Sequence, residues 1–452
     1  IHNGDYNPVR LLATPKKRQM ITGGFERKLD KTSLLKFEMA MSNTDLNTFS
    51  QIDNADNLGF SGKLSARKTK NLSSFWNLKY KLDAESISRT FSRIERFRAV
   101  EFERNWNVQR QDLYGNQYSA IAGIELLGNN KEKLAYNFNT YHIDTSYSGY
   151  KNEVNIFIDK KVHIDFKGSY LYSDGSKNTS FLRHKSDVYY KTKFFKIGFK
   201  DINEENVFSI SDSILINSYR FYDWQIYCEQ ADSIKNKFRI YYQERYDWIS
   251  NNISLKKAVK AKSIGIKQSV VTNVNHKLNI SAAIRSLDTT SPSLVNIVPE
   301  NTMTGRVDYK LKVLKGMINS STYYELGSGL ELKKEFIYIE VPIGQGIYTW
   351  IDYNNDGVKD LAEFELAQYQ DQATYIRVFT PSNEYVKVHS YQLSEIINIK
   401  PRYYFKKNVK AVKLLNRFSY QLALRQEKKT SAENISDFIS PFTNNISDTL
   451  LQ

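Results

Sequence analysis

Between Lys151 and Tyr172 the chain sets Val154, Ile156, Ile158, Val162, Ile164, Phe166, Tyr170 and Tyr172 on one face of an extended backbone, broken by a basic turn at Lys160. The interleaved positions read Glu153, Asn155, Asp159, Lys161, His163, Asp165, Lys167 and Ser169, with Phe157 and Leu171 as apolar exceptions. Side chains alternate faces along a strand, so this period of two predicts a hairpin with one dry and one wet side. The pattern recurs. Phe238, Ile240, Tyr242, Tyr246 and Trp248 oppose Lys237, Arg239, Gln243, Arg245 and Asp247, and Glu244 is the one break on the apolar side. Leu278, Ile280, Ala282 and Ile284 oppose Lys277, Asn279, Ser281 and Arg285; Val412, Leu414, Phe418, Tyr420, Leu422 and Leu424 oppose Lys413, Arg417, Ser419, Gln421 and Arg425.

Turn signals punctuate these strands near Asp30-Lys31, Lys70-Asn71, Asn130-Lys131, Asp159-Lys160, Lys193-Phe194, Ile234-Lys235, Asn273-Asn275, Lys315-Gly316 and Lys407-Asn408. Neighbouring turns mostly lie about 30 to 40 residues apart, room for two strands of about ten residues and one longer loop. The longer connections, at 45–57, 85–115, 174–180, 203–217, 287–301 and 343–374, are rich in Asn, Asp, Ser and Thr. Long strands without intervening helices, short turns at one end and long loops at the other, predict an all-β fold. The expected form is a large antiparallel transmembrane β-barrel of about 18 to 20 or more strands. Residues 1–452 would form one barrel or a portion of a larger one, with 343–374 as a surface loop. A soluble antiparallel sheet packed on a core gives the same alternation, but sandwiches use fewer and shorter strands.

Composition sharpens this picture. Tyr (31) and Phe (25) are abundant while mean hydropathy is −0.53, and no run nears the roughly 18 apolar residues of a spanning helix, so strands must do any spanning. Only eight prolines occur and none lies between Lys16 and Ser291, which suits strands paired on both sides. The net charge of +15 is spread along strands with small clusters at Lys16-Lys17-Arg18, Lys160-Lys161 and Lys406-Lys407, so no nucleic-acid partner is expected. Cys228 is the only cysteine, which excludes an intrachain disulfide, and it reads as a small apolar filler. The chain starts at Ile1-His2-Asn3 without Met, so an export signal would be removed or lie outside it; it stops at Leu451-Gln452 without an evident closing strand, as a portion of a longer polypeptide would.

One segment carries chemistry. Asp352-Tyr353-Asn354-Asn355-Asp356-Gly357-Val358-Lys359-Asp360-Leu361-Ala362-Glu363 matches the calcium-loop pattern D-x-[DN]-x-[DN]-G-x5-E. Calcium takes six to eight oxygens, so Asp352, Asn354 and Asp356 would offer side chains, Val358 its carbonyl, Asp360 a direct or water-mediated contact and Glu363 a bidentate carboxylate, with Gly357 at the sharp turn. Lys359 stands where paired EF-hands carry an aliphatic residue, and the entering segment 344–350 is not helical in character. A short helix is expected over 361–373. The segment resembles a single unpaired calcium loop of the dockerin or thrombospondin sort, and a structural Ca2+ that neutralises its carboxylates is expected. An Asx-rich turn without an ion is the plainer alternative. The histidines, His2, His142, His163, His184, His276 and His389, show no metal-ligand or triad spacing, so no catalytic residue is assigned and no enzyme is expected.

The segments 343–352 and 371–381 around this loop, Asn47-Thr48-Phe49-Ser50, and Glu101-Phe102-Glu103-Arg104-Asn105-Trp106-Asn107 resemble a signature of large outer-membrane β-barrel proteins of the Bacteroidota. Such proteins have no assigned chemistry, and the type 9 secretion translocon of that phylum serves only as a loose analogy. The resemblance implies an outer-membrane location in a Gram-negative cell, contact with lipid and lipopolysaccharide, and protein partners or a plug for the lumen. Transport, secretion or assembly at the cell surface is the leading expectation for its function. A barrel-anchored adhesive surface protein, and a soluble calcium-stabilised β-protein binding polysaccharide, are the alternatives.

Overall fold

A computed structural model describes residues 14–52, 54–108, 114–211, 213–273, 275–295, 299–405 and 410–430. The described residues are all-β, with 21 strands and two short helices. They divide into two compact units, Ile1–Gly265 with Arg285–Asn301, and Ile266–Ile284 with Thr302–Gln452.

The first unit opens with β1 (Lys17–Lys28), β2 (Ser33–Asp45), β3 (Leu58–Asn71), β4 (Trp76–Ile87), β5 (Gln117–Gly128), β6 (Lys133–Ile143), β7 (Tyr147–Asp159), β8 (Val162–Asp174) and β9 (Asn178–Lys191). It continues through β10 (Phe195–Ile210), the two-residue β11 (Ser213–Ile214), β12 (Tyr219–Gln230) and β13 (Lys237–Ser250). Each long strand pairs antiparallel with its neighbours in sequence, from β1·β2 to β12·β13. Then come β14 (Leu255–Asn273), β15 (His276–Thr289) and β16 (Glu300–Val313). The second unit holds β17 (Ile318–Glu340), β18 (Tyr348–Trp350), β19 (Phe364–Leu366), β20 (Tyr375–Ile399) and β21 (Tyr420–Thr430), with ladders β16·β17, β17·β20 and β20·β21.

Among the described residues β1 is laddered on one side alone, to β2, so the observed sheet has an open edge there and is not a closed barrel. The hairpin expected around Lys160 is present as β7–β8, with Ile158 facing Ile164 and Ile156 facing Phe166. Five of the expected turns fall between strands as read, Asp159-Lys160 straddles the end of β7, and Lys70-Asn71 still belongs to β3, whose turn follows it; the turn at Asn273-Asn275 includes a residue outside the described set, and Lys406-Lys407 and Lys407-Asn408 lie outside it altogether. The connection from β20 to β21 is long and holds a short helix, Lys410–Leu415, where the alternation predicted a strand beginning at Val412. Ala, Leu and Lys are strong helix formers, and Asn416 closes the turn by donating its backbone N–H to the Val412 carbonyl (2.9 Å).

Two further expectations are corrected. Residues 203–217 were expected to form a loop, yet β10 runs to Ile210, because its polar residues find lateral partners: Asn203 accepts from Arg220, and Glu204 from Arg104 and Tyr219. The long-loop end also contains tight turns, at 144–146, 175–177 and 251–254, so the two ends differ less than the sequence suggested.

The faces of this ladder are inverted relative to a water-soluble sheet. Ile158, Ile164, Val188, Phe199, Ile226 and Tyr242 are successive cross-strand neighbours from β7 to β13 and form one apolar row. One residue along, the opposite face reads Asp165, Asp187, Lys200, Gln225 and Gln243. The polar face is the buried one: Lys151 is 8% and Asn139 4% exposed, against 41% for Tyr150 and 38% for Phe138 on the apolar face.

Part of that burial comes from the connection between β4 and β5, which folds back onto the polar face. Its helix α1 (Phe102–Trp106) ends at Asn107, whose φ of 50° is the left-handed cap conformation that Asn tolerates. Trp106 packs on Tyr141 (ring centroids 5.4 Å) within a core of Val108, Ile143, Tyr147, Leu171 and Phe181. Gly149 makes room for it, since a Cβ there would lie 3.0 Å from Trp106 Cε3. The Lys151 ammonium sits 4.7 Å above the indole, and Tyr147 donates its hydroxyl to the Trp106 carbonyl. Trp106→Ala is expected to cost about 3–5 kcal/mol of local stability. Native-state proteolysis would show it as faster cleavage within 88–108, with the β7–β13 ladder unchanged by circular dichroism.

Candidate functional site

The polar face of the first unit is a self-supporting network. Lys200 pairs with Asp187 at 2.9 Å, Arg239 with Glu229 at 3.0 Å, and Lys196 with Asp232 at 2.6 Å. Gln225 donates to Gln243 (3.2 Å), Gln243 to Asp223 (2.7 Å), and Tyr227 to Asp187 (2.8 Å). Half-buried charges held by such lateral bonds keep the strand face polar without leaving donors unpaired. Lys237, Arg239 and Arg245, expected on the polar side, lie there: Arg245 grips Asp247 through Nε and a terminal nitrogen (2.7 Å).

The α1 segment is fastened to this face by named polar contacts as well as by Trp106. Arg104 binds Glu204 at 2.5 Å, and Tyr219 donates to the same carboxylate. Asn107 and Asn206 exchange reciprocal amide hydrogen bonds at 2.9 Å, and Asn107 also donates to Thr179 (3.0 Å). The sequence marked 85–115 as an exposed loop on composition alone. Its inward fold depends on partners roughly 100 residues away in sequence, which no local pattern reveals.

The loop between β17 and β20 carries the calcium-type residues. Asp352 accepts the backbone N–H of Asp356 (3.3 Å) and of Gly357 (2.9 Å); Asn354 Oδ1 accepts Asp356 N–H (3.0 Å), and Asp356 Oδ1 accepts Val358 N–H (2.7 Å). Asn355 (φ 57°) and Gly357 (φ 71°) both take the left-handed conformation, so the chain winds tightly through Asp352, Asn354 and Asp356. The Val358 carbonyl accepts Asp360 N–H at 3.1 Å. Asp360 and Glu363 form a capping box, and the buried Glu363 carboxylate accepts the Trp350 indole N–H (2.9 Å). Among the described residues no three Asp, Glu, His or Cys groups stand close enough to share a metal. The fold brings Asp352, Asn354 and Asp356 together and engages Glu363 elsewhere.

The helix expected over 361–373 is replaced by 3-10 turns at Leu361–Glu363 and Gln370–Gln372 flanking β19. Pairing of β19 with β18 takes the backbone groups that a helix would have used. Phe364 stacks on Tyr338 at 3.9 Å and meets Tyr375 edge-on at 5.0 Å, which pins the loop to its hairpin.

A further cluster went unread in the sequence. On the apolar face Asp201 accepts from both Ser186 and His184 (2.6 Å to the imidazole), beside Phe166 and Tyr222. The strand register alone brings these residues together, from positions 17 and 15 apart. Asp201 stands between the hydroxyl and the imidazole, so the serine is not paired with a base and the group is not a nucleophilic triad. His163 stacks on Tyr189 at 4.3 Å and bonds Asp159, and His142 bonds Ser148. The chain matches no protein-family model, and no curated protein is a detectable relative.

Two outcomes are expected. Glu204→Ala removes the acceptor shared by Arg104 and Tyr219; a charged hydrogen bond is worth about 1.5–3 kcal/mol, so tryptic cleavage after Arg104 in the native protein should speed up about tenfold or more. In the β17–β20 loop, Lys359 (3.1 Å) and then Tyr375 (3.2 Å) hold the Glu340 carboxyl below its ordinary value. A depressed carboxylate contributes stability that is present above its ordinary pKa and lost as pH falls through the folded value. Amides of 341–374 should therefore exchange faster as pH drops below about 4, after correction for intrinsic rates, and Glu340→Gln should abolish that change.

Proposed function

We propose that this chain is an outer-membrane β-barrel, or a portion of a larger one, that serves transport, secretion or assembly at the surface of a Gram-negative cell. The observation that carries the reading is the inversion of the faces. An exposed apolar wall running from β2 to β13 far exceeds the few hundred Å2 that water-soluble monomers expose, and lipid is the solvent that suits it. Strands of 11 to 16 residues exceed the roughly 9–11 needed to cross a bilayer. In lipid no sheet edge stays unpaired, so on this reading β1 gains a strand partner in the membrane. The polar face then lines a lumen that the α1 segment narrows, and passage requires partner proteins or movement of that segment.

The second unit supports the surface role. β17 has 23 residues and β20 25, about twice the crossing length, so their hairpin projects well beyond the bilayer with the 341–374 loop at its tip. That projection also favours adhesion or partner capture as a second reading. The loop's D-x-N-x-D-G-x5-E run is assigned a structural Ca2+ held by Asp352, Asn354, Asp356, the Val358 carbonyl, Asp360 and Glu363. The left-handed turns at Asn355 and Gly357 suit the wrapping, and Glu363 exchanges the Trp350 indole for the ion.

Detergent-extracted protein is expected to migrate faster on gels before heating than after, and to raise the conductance of planar bilayers once the α1 segment is loosened by Glu204→Ala. Migration that is indifferent to heat, with the protein soluble in the absence of detergent, would remove the barrel reading. For the loop, terbium luminescence sensitised by Trp350 should saturate, fall with added calcium, and vanish in Asp352→Ala. Proteolysis of 343–374 that is unchanged by chelation would end the calcium assignment.

A further inference from the structure

The ten residues 89–98, between β4 and α1, contain four arginines: Arg89, Arg93, Arg96 and Arg98. The structure gathers all four around one cavity of about 200 Å3, with Phe91 and Phe97 in its wall. Their donors are unequally used. Arg98 pairs with Glu85 at 2.7 Å and lies over the rings of Phe97 (4.7 Å) and Phe102 (4.5 Å), yet its Nε is buried without an acceptor among the described residues. Arg96 is spent on the carbonyls of Arg98, Ala99 and Val100. Arg89 and Arg93 rest only on aromatic faces, Tyr114 and Phe97, both at 5.4 Å, and neither guanidinium meets a carboxylate among the described residues. Among the described residues Glu103 is the one acid that lines the cavity.

Like charges held this close are unfavourable unless something answers them, and aromatic faces answer them only in part. Guanidinium forks match the oxygens of phosphate, and several donors converging from different directions suit a tetrahedral anion better than a planar one. We propose that this cavity binds the phosphate of a phosphate-bearing ligand, with Arg89 and Arg93 as its principal contacts. Arg89, Phe91 and Arg93 also line a second cavity of about 630 Å3 with Arg18, Asn47 and Asn54, which leaves room for the body of a molecule larger than phosphate. The site is built within the first unit and does not depend on whether the sheet closes in a membrane.

The test titrates the full chain in detergent at low ionic strength, by calorimetry, with inorganic phosphate and separately with dodecyl phosphate in micelles. Saturable binding of either is expected, weakened at least tenfold by R89Q combined with R93Q and unchanged by K167Q, a lysine elsewhere on the polar face. Binding of inorganic phosphate identifies a soluble ligand; binding of dodecyl phosphate alone identifies a lipid headgroup. Arg98 is left intact because it holds Glu85. Circular dichroism and the tryptic pattern of the double variant establish that it is folded. Absence of saturable heat with both probes, or a folded double variant that binds like the wild type, overturns the proposal.

Discussion

Everything in the first unit depends on one constraint: each strand spends its backbone hydrogen bonds on the strands before and after it in sequence. With a side-chain period of two, that ladder sorts Ile158, Ile164, Val188, Phe199 and Ile226 to one face and Asp165, Asp187, Lys200 and Gln225 to the other. A slip of one residue anywhere would exchange the two sets for that strand. The register is held by close pairs on the polar face, such as Lys200–Asp187 and Gln225–Gln243, which do not form if one strand moves.

The polar face then serves as a floor for the segment that follows β4. Apolar residues that look misplaced in the alternation acquire a reason. Leu171 and Phe181 lie on the polar side because they join Tyr141, Ile143 and Tyr147 under Trp106. Phe157 meets His163 edge-on at 5.4 Å, a local packing role on the same face. The segment is fixed at the middle of its helix by Arg104 on Glu204 and at its C-terminal cap by the Asn107–Asn206 amide pair, and it brings with it the arginine-lined cavity. Apolar anchoring and anion chemistry thus occupy one short stretch, on a wall of otherwise paired charges.

The second unit puts the same ladder to another use. β17 and β20 continue past a register shift at Leu332/Lys334, and their tip is capped by aromatic stacking of Phe364 on Tyr338. The acidic loop is therefore mounted on a stiff two-stranded arm, and its own turns are wound by Asx hydrogen bonds to backbone N–H groups.

Strand identity, turn positions and the two unlike faces were legible in the chain by itself, because alternation is a local property and the tight turns announce themselves in Asn, Asp, Lys and Gly. The glycine and carboxylates of 352–363 were legible for the same reason. Tertiary structure alone decided the rest. Residues 203–210 stay in β10 because Arg104, Tyr219 and Arg220 reach them from distant positions. Lys410–Leu415 is the exception, helical by local propensity although its alternation reads as strand, since five of its six residues are strong helix formers. Glu363 faces Trp350 because β18 and β19 pair, and Ser186, His184 and Asp201 meet only through register. Local patterns set each residue's face; which residues meet across that face depends on contacts between positions far apart in the chain, and no window of sequence contains them.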